Sequence, residues 1–296
     1  MTDYNDPPHS KPMVAPRPTL CRFILPTFNR LGWLQESVES VLRSANVELW
    51  ILAQGCDDGT DEYLEKLSES DPRVHYSTRE ENKRGGYWDL VQLLPDYDGY
   101  LCLWSDDDHA LPLGIERKRN MLDNHPELSC VFSGVRWMDA HGTDQGIHGM
   151  GRIAEQDLTG GAMVFRQLIL ADYMPSPTVL MRTRNFKRFF PILEEKEHAL
   201  CDWQLWLHAA HAGLQSGYVV EPTVRYRIHA KSDSTAYTTS GRYVQDHLDV
   251  WKYWADRGYR PTLPELLNLE AFISKIAHNC GQSARMPLEF LQEVFS

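Results

Sequence analysis

Short, mostly apolar runs separated by helix-period stretches constrain this chain more than any other feature of its sequence. Cys21–Leu25, Leu49–Ala53, Val74–Tyr76 and Tyr100–Trp104 are strand-length segments without clean polar alternation, the pattern of strands covered on both faces. Between the first two, Leu31, Leu34, Val38, Val41 and Leu42 recur at helical spacing, with Asn29 placed to cap that helix. Thr60 is expected to cap a second helix whose first turn carries Asp61 and Glu62. A third helix is expected over about 86–94. Strand alternating with helix predicts an α/β fold, a Rossmann-like, mostly parallel sheet flanked by helices. Ligands of such sheets bind outside the carboxyl ends of the strands. Three polar loops fall there: Thr27–Arg30, Gln54–Gly59 and Ser105–His109.

Beyond about residue 125 the rhythm loosens. Ser129–Met138 and Pro177–Arg182 read as strands, Tyr218–Ile228 as extended, and His141–Gly151 as a glycine- and histidine-rich loop. Leu200–Gly213 is amphipathic, with Leu200, Trp203, Leu207 and Ala210 on one face, and Val244–Trp254 and Pro264–Ala277 read as helices. The expected organisation is an N-terminal arm (1–18), a first half (19–125), a second half (126–240) and a C-terminal helical extension (241–296).

Composition excludes several classes. With 42% hydrophobic and 24% charged residues the chain is no wholly disordered protein. No apolar run approaches the roughly 18 residues of a membrane helix, and the proline-rich N-terminus lacks the apolar centre of a signal peptide. The chain therefore reads as cytoplasmic, with any membrane substrate reached by peripheral docking. Thirty basic against 41 acidic residues give a net charge of −11, a poor balance for generic nucleic-acid binding. Six widely spaced cysteines, with no CxxC pair, read as reduced structural thiols.

Three consecutive carboxylates, Asp106, Asp107 and Asp108, follow the fourth strand. Desolvated, each would raise the pKa of the others. A hard divalent cation that also holds phosphates would neutralise them; a solvated acidic turn is the other reading.

Several segments, in order, resemble family 2 glycosyltransferases. Pro26–Arg30 with Leu34–Leu42 resembles their opening, as does Asp58-Gly59-Thr60 followed by Glu62-Tyr63-Leu64. The acid run resembles their DXD-type motif, Asp202–Leu207 their base-bearing helix, and Tyr226–Ser232 the segment closing over the diphosphate. The resemblance implies a GT-A fold and an inverting transferase that moves a sugar from a nucleotide-diphosphate sugar to an acceptor hydroxyl, assisted by Mn²⁺ or Mg²⁺. It implies Asp108 as direct metal ligand, Asp106 on the ribose or a metal-bound water, Asp107 in support, and His229 on the metal or diphosphate. Arg227 and Lys231 are candidate phosphate partners. Asp202 is the implied general base. Pro26, Thr27 and Arg30 would line the nucleotide pocket, with Arg84 in a loop beside the donor.

Two positions depart from the family. Ala53-Gln54 stands where an Asp usually meets uracil, so Gln54, or Asp57 reaching back, would read the base, and UDP and dTDP donors both fit. Cys201 stands where a Glu often precedes the base, leaving Glu194, Glu195 and Glu197 as rivals to Asp202. Trp104, Trp137, Trp203 and Trp206 fall near the implied site, either as core or as a sugar platform. Trp251, Tyr253 and Trp254 fit an acceptor surface, a homodimer contact or plain packing. Glycan, lipid-linked, natural-product and protein acceptors all suit an exposed hydroxyl; the acidic charge disfavours a nucleic acid. Two alternatives stand beside the transferase: a non-catalytic sugar- or nucleotide-binding module, and a sugar nucleotidyltransferase, disfavoured by the lack of a glycine-rich loop after the first strand.

Overall fold

The computed structural model describes residues 19–83, 85–148, 161–194, 200–230, 232, 242–279 and 288–296; the expected arm over 1–18 lies outside them. The first half runs β1 (Cys21–Thr27), α1 (Leu31–Leu42), β2 (Val47–Gln54), α2 (Thr60–Ser70), β3 (Val74–Arg79), α3 (Gly86–Leu93) and β4 (Tyr100–Leu103). It matches the alternation read from the sequence. β1, β2 and β4 are almost wholly buried, and successive residues of β1 feed opposite layers. Phe23 and Leu25 pack with Leu34 and Val38 of α1, whereas Ile24 joins the layer containing Leu101 and Trp203.

The chain continues with β5 (His109–Ala110) and α4 (Gly114–Asn124), and beyond residue 125 with β6 (Leu128–Met138), β7 (Asp144–His148), α5 (Gly161–Leu168), β8 (Leu180–Arg182), α6 (Thr183–Phe186), α7 (Cys201–His211) and β9 (Gln215–Arg227). Among the described residues nine strands form one sheet, ordered β3-β2-β1-β4-β8-β6-β9-β5 with β7 beside β6. β1 pairs in parallel with both β2 and β4, Cys21 facing Val47 on one side and Tyr100 on the other. The chain therefore leaves β1 toward β2 and β3, then crosses back to β4. That reversal opens a crevice at the carboxyl ends of β1 and β4. β8 is antiparallel to both β4 and β6, while β6 and β9 are parallel.

Three local expectations need correction. Helix α4 was not foreseen, because its buried face uses Ile115 and Leu122 together with Lys118 and Arg119. Their aliphatic stems lie inside while the heads reach carbonyls, Lys118 Nζ to Thr178 O at 2.9 Å and Arg119 to Ala45 O at 3.0 Å. β7 occupies part of the expected loop His141–Gly151; its backbone pairs with β6, which requires no apolar side chains. Pro177–Arg182 divides into a 3₁₀ turn (Ser176–Thr178) and β8.

The helix caps also differ. Asn29 does not cap α1; it adopts φ +49° and its Oδ1 accepts the Asp57 N–H at 2.9 Å. Asp58 reaches across instead, its Oδ2 accepting the Leu31 N–H at 2.8 Å and its Oδ1 the Thr60 hydroxyl at 2.6 Å. Thr60 is thus held by Asp58, and Gly59 stands at the N-cap position of α2 with φ +91°.

The tail forms α8 (Arg242–Ala255), α9 (Leu263–Asn279) and α10 (Leu288–Val294). Trp251 Nε1 donates to Ile169 O at 3.0 Å and Trp254 Nε1 to Gln204 Oε1 at 3.2 Å. These two indoles, with Trp104, Trp203 and Trp206, are fully buried, so all five are core rather than sugar platforms. Cys21, Cys102 and Cys130 are buried free thiols, Cys56 and Cys201 half-buried ones. Burial pushes the first three up to about 12, as for inert structural cysteines. Cys280 lies outside the described residues. No described helix is long and apolar enough to cross a membrane.

Candidate active site

Two serines on the buried face of α1 fix the turn that follows β4. Ser37 Oγ donates to Ser105 O at 2.9 Å and receives the Trp104 indole N–H at 2.8 Å. Ser40 Oγ accepts the Ala110 N–H at 2.9 Å. From the other side Tyr87 on α3 donates its hydroxyl to Trp104 O at 2.8 Å. The turn Asp106–Asp108 is thereby pinned at both ends, at the crevice.

All three carboxylates are buried, yet their partners differ. Asp106 accepts the Thr27 hydroxyl at 2.8 Å and Arg30 at 2.9 Å. Burial pushes it up to about 6, against the pull of Arg30. Asp107 Oδ2 lies 2.9 Å from His229 Nε2 and 3.6 Å from Arg30. Asp108 Oδ1 accepts the Arg227 backbone N–H at 2.8 Å, while its Oδ2 is buried with no hydrogen-bond partner. Burial, then the Asp107 charge, holds Asp108 well above the usual carboxylate range. Asp107, not Asp108, is therefore the acid paired with His229. A buried acceptor without a donor is costly, and a cation beside this turn would relieve it. Among the described residues no three His, Cys, Asp or Glu side chains converge on one point, so such an ion would take further ligands from a phosphate and water, as hard cations do.

Arg227 does not serve as a phosphate partner here. Its side chain is 1% exposed. Nε donates to Asp107 O at 2.8 Å, and the two terminal nitrogens to Ala140 O at 3.0 Å and Glu36 Oε2 at 2.6 Å. His109 Nε2 stands 2.9 Å from the same terminal nitrogen that meets Glu36. The same His109 Nε2 lies 3.0 Å from Glu36 Oε2, and burial, then the Arg227 charge, lowers the His109 pKa. Trp33 packs against His229 with the rings tilted by 41° and their centroids 4.1 Å apart. Sequence reading missed it; its place near the start of α1, one turn before Glu36 and Ser37, was the available signal.

A cavity of about 710 Å³ opens beside this cluster, lined by Phe28, Arg30, Trp33, Gln54, Asp58 and Asn82 among others. Its size suits a small organic ligand. Arg30 lines it directly and ties it to Asp106, which also accepts the buried Thr27 hydroxyl. Pro26 packs against the start of α3, where a Cβ on Gly86 would come within 2.7 Å of the proline ring; glycine is required by that contact. Gln54 is buried, and its carbonyl oxygen accepts Arg79, which also pairs with Asp89. The glutamine carbonyl is thus committed, leaving its amide N–H groups as donors. Asp57 is exposed. Arg84 and Lys231 lie outside the described residues.

Across the crevice, Asp202 opens α7. Its Oδ1 accepts the Trp203 N–H at 2.8 Å and its Oδ2 the Ser176 hydroxyl. Burial raises its pKa against those bonds. Glu194 is exposed, while Glu195 and Glu197 lie outside the described residues. Asp172, absent from the sequence reading, keeps contact with solvent; the protein packed around it, then the Asp202 charge, raise its carboxyl. The buried Tyr87 phenol is held well above its usual range by burial, then by Asp202, with Asp106 also contributing.

The acidic turn and the ligand-sized cavity thus lie at the carboxyl ends of the strands, where α/β sheets of this kind bind their ligands. A model of the family described as glycosyl transferase family 2 matches residues 23–172. The chain belongs to that family, and so to the glycosyltransferases. Two curated relatives, both uncharacterized glycosyltransferases, are each 22% identical. The Rickettsia bellii protein matches over 80% of this chain and 32% of its own length, and the Haemophilus influenzae protein over 74% and 68%. The chain thus spans about a third of the first relative. Among solved structures, S. aureus TarS 1–349 in complex with UDP-GlcNAc covers 93% of this chain and 78% of its own at TM-score 0.61 and 15% identity. The mannosyltransferase PcManGT from Pyrobaculum calidifontis, in complex with GDP-Man and Mn²⁺, covers 93% and 79% at TM-score 0.58 and 12% identity. These likenesses show a shared GT-A-like fold.

Proposed function

We propose that the protein is an inverting, cation-assisted glycosyltransferase that moves a sugar from a nucleotide-diphosphate sugar to an acceptor hydroxyl. The observation that carries this reading is the buried Asp107–His229 pair, 2.9 Å apart, beside the orphaned Asp108 oxygen and the 710 Å³ cavity. UDP-GlcNAc and GDP-Man in two structural neighbours support a donor of this class. Residues 19–125 would hold the donor, 126–240 the acceptor and the base, and 241–296 would buttress α5 and α7.

Asp107 and His229, with the unpartnered Asp108 Oδ2 beside them, would hold the divalent cation. The cation, when bound, neutralises charge growing on the leaving diphosphate. Thr27, Arg30 and Asp106 orient the nucleotide, and the Gln54 N–H groups face acceptors on the base. Asp202 takes the acceptor proton as the acceptor oxygen bonds the anomeric carbon and the carbon–oxygen bond to the diphosphate breaks. Its raised pKa makes it a stronger base than a solvated aspartate. Attack from the side opposite the leaving group inverts the anomeric centre.

Thermal unfolding with UDP, dTDP and GDP, each with and without Mn²⁺, tests the donor site. A ligand at about 100 times its Kd adds about 2.7 kcal/mol, so a cation-dependent shift of several degrees is expected with at least one nucleotide. No shift with any of them would overturn the reading.

A further inference from the structure

Arg227 is enclosed by the site without facing its cavity, and its contacts run in two directions. Toward the acid turn, its backbone N–H meets Asp108 Oδ1 and its Nε meets the carbonyl of Asp107, both at 2.8 Å. Away from the turn, the guanidinium is gripped by Glu36 at 2.6 Å and by Ala140 O at 3.0 Å. Trp33 closes the group: its ring lies 5.5 Å from the guanidinium carbon and 4.1 Å from the His229 ring, and its indole N–H donates to Ala140 O at 3.3 Å. Arg227 and His229 are two residues apart at the end of β9, so whatever fixes the arginine also fixes the imidazole relative to the acid turn.

Glu36 is the carboxylate side chain that meets this guanidinium, and it stands on α1 with 53% of its side chain exposed. A guanidinium with 1% exposure needs such a partner, because an uncompensated buried charge is expensive. A planar fork reaching a carbonyl and a carboxylate at once is also a geometry a lysine ammonium does not reproduce.

We propose that Arg227, anchored by Glu36, is a positioning residue that sets the spacing of Asp107 against His229, and that Glu36 thereby governs the affinity of this pair for a divalent cation although it touches neither residue. The proposal rests on the cation reading given above. Groups that orient metal ligands from outside typically change metal affinity by about 10- to 100-fold when removed.

The test is Mn²⁺ titration of the full chain with saturating UDP or GDP, whichever stabilises the wild type, followed by electron paramagnetic resonance of free Mn²⁺. Glu36→Gln, an isosteric change at an exposed helical position, should weaken Mn²⁺ binding about 10-fold or more and leave cation-free nucleotide affinity unchanged. Arg227→Lys should do the same, and the double variant should bind Mn²⁺ no worse than Arg227→Lys alone, since both act through one contact. A lowered melting temperature with Mn²⁺ affinity within about twofold of wild type would mean a purely structural role and overturn the proposal. If the wild type itself takes up no Mn²⁺ with either nucleotide, the cation reading fails and this one with it, an outcome visible before any variant is made.

Discussion

Replacing Asp106 by asparagine should stabilise the cation-free protein at neutral pH. Asp106 is 4% exposed, and its carboxyl rises from 3.8 to about 6 chiefly through burial. That rise corresponds to about 3 kcal/mol favouring the neutral form. The sign follows from proton linkage: between about pH 4 and pH 6 the folded state binds more protons than the unfolded one, so stability falls as pH rises through that window. An amide removes the ionisation and keeps both contacts. Its oxygen accepts from Arg30, and its N–H donates to the Thr27 hydroxyl, which can accept as well as donate. Asp106→Asn should therefore gain up to about 3 kcal/mol at pH 7, roughly 6 °C in melting temperature for a chain of this size. At pH 3.5, where the wild-type carboxyl is neutral in the folded state, the gain should vanish. Calorimetric scans of both proteins at pH 3.5, 5, 6 and 7, with a chelator present, measure it. Equal stability at pH 7, or a difference that persists at pH 3.5, would refute the argument.

Asp202→Asn should lower sugar transfer by about 10²- to 10⁴-fold while nucleotide binding, read by thermal shift, stays at wild-type strength; weakened donor binding would move Asp202 into the donor pocket. Asp58→Ala should cost about 1–2 kcal/mol in urea unfolding at pH 7, because one side chain caps α1 and holds Thr60 at the start of α2. Burial raises the Asp58 carboxyl, but hydrogen bonds from Thr60 and Leu31 outweigh it and lower the pKa below 3.8. The stabilisation is thus present above about pH 4 and fades below it, and the variant's deficit should shrink by pH 3.

The helix–strand alternation of the first half was legible because strand burial and helix periodicity are local patterns: β1 through β4 each occupy the expected runs. The carboxyl-end loops were legible for the same reason, since parallel connections bring alternate loops to one edge of the sheet. Lys118 and Arg119 hid α4, because a sequence pattern scores their charged heads and not the stems that pack. Polar β7 was hidden because backbone pairing with β6 leaves no mark in hydropathy.

By itself the sequence determined the layer order, the acid run at the end of β4 and the family. Tertiary structure alone decided which acid meets which partner. Asp107 rather than Asp108 meets His229, and Arg227 turns inward to Glu36 across 191 positions of chain, because the β6–β9 register and the α1 packing fix those meetings. Three adjacent aspartates are equivalent in a string of residues. They become different only when Thr27 of β1, the Arg227 backbone at the end of β9 and His229 just beyond it each take a different one.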